Sequence, residues 1–219
     1  MGLIRSIRRL FRRPAYRTPA ETPQQPQTAT TPSAPTTPAG RAHHGESGFD
    51  GPIAVNVSGA RGYSPAEAEK LRQATELLSK VLGSEAFRQR ILEHQYRGGA
   101  GFADSDGLSN AQVYEKLMAA RETYTDADDH EVDLDLEIKN LGWRGRNVVG
   151  YTYPDVATVT QNRKFFALKS PADIAANLAH EWVHKLGFGH DFRQTAPRPY
   201  SVPYAVGDIV GELAKALEG

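Results

Sequence analysis

The chain contains no cysteine, which excludes disulfides and thiolate metal sites and leaves His, Asp and Glu as its metal-binding side chains. It has no run of about 18 apolar residues, so the sequence excludes a membrane-spanning helix. The N-terminus lacks the apolar core of a secretory signal, and classical export is not expected. Methionine is scarce, with Met1 and Met118 the only two. The formal charge is zero, but the 26 basic and 26 acidic side chains are unevenly spread. Residues 1–41 hold seven Arg and one Glu, which leaves 19 of the 26 basic and 25 of the 26 acidic side chains for residues 42–219. That mildly acidic body has no basic face, so nucleic acid is not expected as a partner.

The 219 residues suffice for one core of ordinary size, and three segments are expected. Residues 1–13, MGLIRSIRRLFRR, put Leu3, Ile4, Ile7, Leu10 and Phe11 on one helical face and five arginines on the other. This basic arm reads equally as a peripheral membrane-contacting helix, an Arg-rich organelle presequence, an N-myristoylation site (Met1, Gly2, Ser6) or a solvated tail. The compartment stays open accordingly. Residues 14–50 form a linker: seven of the fourteen prolines and seven threonines lie between Pro14 and Gly40, with almost no aliphatic residue to build a core. Residues 51–219 are the folded domain, expected to be α+β and monomeric.

Within that domain, Pro52 and the run Ile53 to Val57 read as a first strand ended by Gly59 and Gly62. Ser64, Pro65 and Glu67 then form a capping box for a helix that Gly83 ends. Glu85 to Tyr96 fits either strand or helix, and the glycine-rich turn Gly98 to Gly101 tips it toward strand. Asp104, Asp106 and Gly107 read as a turn, since the remaining positions of a calcium loop are missing. Ser109 starts a helix reaching about Glu122, and Asp126 to Glu131 is a loop. Val132, Leu134, Leu136 and Ile138 alternate with Asp133, Asp135 and Glu137, the period of a half-buried strand whose carboxylates face water. The β-branched stretch Val148 to Thr160 carries Pro154, which confines it to an edge strand or a bulged pair, and an edge strand can accept an extended peptide.

The most informative stretch is His180 to Asp191, HEWVHKLGFGHD. Ser170, Pro171 and Asp173 are a strong helix start. On a helix running to Gly187, His180 and His184 lie about 40° apart around the axis and roughly 6 Å apart along it, so both can reach one ion. Gly187 can adopt the left-handed conformation that turns the chain and returns His190 to the same ion. Three histidines leave a fourth position open, as in catalytic zinc sites, and Glu181 is placed to accept a proton from a metal-bound water.

The pattern His180-Glu181-x-x-His184-x-x-Gly187-x-x-His190 resembles the long zinc motif of the metzincin metalloendopeptidases. The resemblance implies a mixed sheet with an active-site helix and a C-terminal helix. It also implies Zn2+ held by His180, His184 and His190, Glu181 as general base, a protein or peptide substrate, and a structural role for Asp191. The family carries a methionine in a tight turn beneath the zinc; here both methionines precede the motif, so that turn is altered or absent. Arg198 to Gly207, RPYSVPYAVG, stands in its place, with Val202 or Pro203 at the methionine position. Tyr204 is the candidate for an oxyanion-stabilising tyrosine, with Tyr200 its rival. Gly207 to Leu217 has the spacing of a closing amphipathic helix. The expected activity is zinc-dependent peptide hydrolysis; the alternatives are an inactive zinc-containing binding or structural module and a delivered toxin or effector using the same site.

Overall fold

The computed structural model describes residues 53–125, 130–145, 147–153 and 155–218. The basic arm, the linker, Pro52, Pro154 and most of the acidic loop from Asp126 lie outside the described residues, and so do the expectations attached to them.

The domain is α+β with a mixed four-stranded sheet. Strand β1 (Ala54–Arg61) leads to helix α1 (Pro65–Leu82), whose N-terminus carries the expected capping box at Ser64 and Glu67. Gly59 does not end β1; it sits at a register shift against the neighbouring strand, and the strand resumes to Arg61. Glu85 to Tyr96 is mainly helix, correcting the strand expectation. Helix α2 (Glu85–Leu92) is capped by the Ser84 hydroxyl and buries Phe87 and Ile91. Only Gln95–Tyr96 (β2) is extended, paired with Gly99–Ala100 (β3) across the glycine turn. Helix α3 (Asn110–Ala119) stops before Glu122, because Ala120 takes a left-handed conformation at φ 48°.

Strand β4 (Glu131–Lys139) alternates as expected, with Val132, Leu134, Leu136 and Ile138 all buried. Its carboxylate face is less simply solvated than the alternation implies. Asp135 accepts from both terminal nitrogens of Arg61, at 2.5 and 2.9 Å, and from the Thr158 hydroxyl at 2.6 Å. A short helix α4 (Gly142–Gly145) follows, then β5 (Gly150–Tyr151) and β6 (Thr158–Asn162). The sheet order is β1-β4-β6-β5, with β4 parallel to both β1 and β6 and β5 antiparallel to β6. The Val148 to Thr160 stretch is therefore two strands. Its first part, β5, is at the edge as expected, whereas β6 is interior and buries Thr160, Gln161 and Asn162.

After helix α5 (Arg163–Leu168), Ser170 caps α6 (Pro171–Lys185), its hydroxyl accepting from the Asp173 amide at 3.1 Å. Arg198–Tyr200 forms a single 3-10 turn, and α7 (Val202–Glu218) closes the chain. The expected proline-rich turn is thus the first turn of α7, which begins five residues before Gly207. Proline is tolerated there because the first helical residues have no partner for their amides. Among the described residues no helix is long and apolar enough to cross a membrane.

The two C-terminal helices approach closely because α7 presents glycines to α6. A Cβ on Gly207 would lie 3.1 Å from the Ala176 carbonyl and 3.2 Å from the His180 Cβ. Neither contact can swing away, so Gly207→Ala is expected to lower stability by about 1–2 kcal/mol despite alanine's better helix propensity. Because the clash falls on His180, metal affinity should drop with it. Thermal melting with and without metal checks both effects.

Candidate metal centre

Local chemistry brings the three histidines together. Helix α6 carries His180 and His184 one turn apart, and the helix ends at Leu186. Gly187 then takes φ 88°, the left-handed conformation expected of it, and buried Phe188 anchors the reversed chain. His190 returns to the helix. The ring centroids lie 5.0 Å apart for His180 and His184, 4.9 Å for His184 and His190, and 5.2 Å for His180 and His190, nearly an equilateral triangle. One nitrogen from each ring lies within 4.8 Å of the others, so the three residues could hold a metal ion.

The outer contacts orient these rings. His184 Nδ1 is 2.8 Å from the Phe188 carbonyl, and His190 Nδ1 is 3.0 Å from the Asp191 carbonyl. A carbonyl only accepts, so each of these Nδ1 atoms carries the proton and leaves Nε2 bare. The His180 ring bonds the Pro203 carbonyl in the same manner. The Nε2 atoms of His180 and His190 stand 3.3 Å apart. Two bare lone pairs at that distance repel unless a cation lies between them, and metal-bound histidines characteristically donate their other nitrogen to a carbonyl. Burial, followed by repulsion among the three rings, holds His180 down at about 3, while burial is the main cause holding His184 at about 4. His190 is lowered as well, chiefly by burial. The site therefore offers neutral imidazoles, the form that binds metals.

Glu181 is buried, with 5% of its surface exposed. Burial pushes its carboxyl up to about 7, against the opposing hydrogen bond from Asn177 and the charge of Lys185. A Cβ on Gly150 would lie 3.5 Å from Glu181 Oε1 and 3.2 Å from Asn177 Oδ1, so the edge strand β5 covers this carboxyl with a glycine. Tyr204 lies beside the histidines, its ring centroid 4.6 Å from His180 and 4.8 Å from His190. Tyr200 is turned elsewhere, against His94 and Tyr96. Asp191 is exposed and accepts from the Arg193 amide within its own loop.

Sequence reasoning missed four contributors. Lys185 is completely buried, and its Nζ donates to the carbonyls of Tyr153 (3.0 Å), Val156 and Thr158 (3.4 Å). This ammonium ties the β5–β6 connection to the end of α6. Lys185→Met is expected to leave those carbonyls without a donor and to cost roughly 2–3 kcal/mol, seen as a lower denaturant midpoint; an unchanged midpoint would show that the latch carries nothing. Glu122, only 1% exposed, accepts from Trp182 Nε1 at 2.9 Å and from the Asp133 amide, fixing the back of α6 to β4. Asn177 bonds Glu181, and Arg198 Nη2 donates to the Tyr204 hydroxyl. All four pair with residues distant in sequence or across a turn, and only the helical spacing of Asn177 and Glu181 was there to be read.

No family model, no curated protein and no solved structure matches this chain.

Proposed function

We propose that the chain is a zinc-dependent endopeptidase of metzincin-like fold, with His180, His184 and His190 as ligands and Glu181 as general base. The observation that carries this reading is the triangle of imidazoles, one nitrogen from each lying within 4.8 Å of the others while the opposite nitrogens are held by carbonyls. Two nitrogens in a tetrahedral zinc shell, each about 2.0–2.1 Å from the ion, stand about 3.3 Å apart. The His180 and His190 pair has that separation, 3.3 Å. The all-nitrogen donor set, without cysteine and without a carboxylate in the triangle, suits zinc better than calcium or magnesium.

When bound, zinc in an open three-histidine site supplies a Lewis acid that acidifies a water and polarises a peptide carbonyl. The Glu181 carboxylate takes the proton from the attacking water, holds it in its buried position, and gives it to the departing amine. A carboxyl raised to about 7 by burial is matched to both transfers near neutral pH. Tyr204 accepts from Arg198 through its hydroxyl oxygen, which leaves its O–H free to point at the carbonyl oxygen. This makes Tyr204 the second candidate catalytic residue; an inert zinc module has no use for a hydroxyl donor beside two ligands. Strand β5 supplies the edge along which an extended peptide can be hydrogen bonded.

The test is hydrolysis of a broad peptide pool by zinc-loaded protein. Cleavage that a chelator abolishes and added zinc restores is expected. A loaded protein that cleaves no member of the pool contradicts the reading.

A further inference from the structure

Arg198 packs on Tyr204, and the proposed reaction uses only one of the five donors of its guanidinium. Its guanidinium carbon lies 4.8 Å from the Tyr204 ring centroid, and one Nη2 bond goes to the Tyr204 hydroxyl. Among the described residues the guanidinium has no other hydrogen bond and no carboxylate within ion-pair distance, and its Nε is buried without a partner. A guanidinium offers five donors in a planar fork, and one held for structure alone is ordinarily paired with a carboxylate or with carbonyls. The exposed arginines of α1 and β1 show the contrast, since Arg61 engages Asp135 with both terminal nitrogens and Arg72 donates one to Glu76 and the other to Glu69.

Arg198 is close enough to His180 and His190 for its positive charge to oppose protonation of either ring. The same charge would repel a divalent ion at the triangle. The exposed Asp104 acts on His190 in the opposite sense to Arg198. What reverses the balance is an anion arriving with the substrate, and a carboxylate fits the fork in two parallel hydrogen bonds.

We infer that Arg198 is a specificity-determining residue that binds a carboxylate of the substrate beside the metal centre. This rests on the peptidase reading above. The carboxylate comes either from an acidic side chain near the scissile bond or from the substrate's C-terminus. The first makes the protein an endopeptidase with a preference for Asp or Glu, and the second makes it favour cleavage near chain ends.

The test is equilibrium binding rather than turnover. Pools of randomised peptides, with or without Asp and Glu and with free or amidated C-termini, are bound to zinc-loaded Glu181→Gln protein and to metal-free wild type, neither of which should consume them. Tighter binding of carboxylate-bearing pools, by ~10-fold to 10²-fold, is expected on both proteins. The pair of pools that differs identifies the source. Arg198→Gln should abolish the preference without changing the zinc content, and Arg198→Lys, which keeps the charge but not the fork, should retain part of it; if the glutamine variant fails to fold, the lysine variant carries the comparison. Equal binding of all pools, or a preference that survives in Arg198→Gln, overturns the inference alone. Failure of every pool to bind overturns it together with the peptide-substrate reading.

Discussion

Glu181→Gln is expected to keep one zinc per chain while lowering kcat by ~10²–10⁴-fold, the range for removing a general base. The amide matches the carboxylate in size and can still accept from Asn177, so the buried position remains filled. Folding should not suffer. A carboxyl raised to about 7 is held at a cost whenever it is ionised, and that cost is present above this pH. Metal-free Glu181→Gln should therefore melt at or above the wild-type temperature at pH 8, even though Lys185 loses an attractive neighbour. Loss of zinc together with activity would move Glu181 from proton transfer to the structure of the site.

Acidification of the metal-free protein is the second large effect. Folding depresses the imidazoles, His180 to about 3 and His184 to about 4, so the unfolded chain takes up protons near pH 6.5 that the folded site refuses. Stability is then present above about 6.5 and falls as the pH drops toward 4. His190 acts in the same direction. Glu181 acts oppositely: its raised carboxyl contributes stability below about 4.5 that is lost as pH rises through about 7. Between pH 6.5 and 4.5 three imidazoles oppose one carboxyl, and the sum is a loss on the order of 1–2 kcal/mol per pH unit, allowing for the partial exposure of His190. Below pH 4 the hydrogen-bonded carboxylates Asp135 and Asp173, both held low, add to the loss. Melting temperatures of metal-free protein across this range check the slope, and a flat profile would mean that the histidines are not buried as described. With metal bound, unfolding and metal release should coincide.

What could be read from the sequence was local. The capped start of α6, the one-turn spacing of His180 and His184, and the left-handed turn at Gly187 are set by neighbouring residues, and each is where the sequence puts it. The alternation of β4 is equally local. Glu85 to Tyr96 misled because Phe87, Ile91 and Leu92 in so short a segment satisfy two periods, and the decisive signal was the Ser84 cap. The start of α7 misled because Pro199 and Pro203 resemble a turn until Pro203 is placed in a first helical turn. Strand β6 is interior because of parallel pairing across a long connection, which leaves no periodic trace. Lys185 and Glu122 were illegible for the same reason: a charge is stable in the core only when distant groups bond it, and those groups are 11 to 60 residues away. The difference between Tyr200 and Tyr204 is likewise tertiary: Tyr204, in α7, lies against His180 and His190, whereas Tyr200, in the preceding 3-10 turn, lies against His94 and Tyr96.

Zinc titration of metal-free protein decides whether His180, His184 and His190 form one metal site. One ion bound per chain is expected, with binding lost in His184→Ala and in His190→Ala although both variants remain folded. A wild-type protein that binds no stoichiometric zinc, or histidine variants that bind it as tightly as wild type, would contradict the claim.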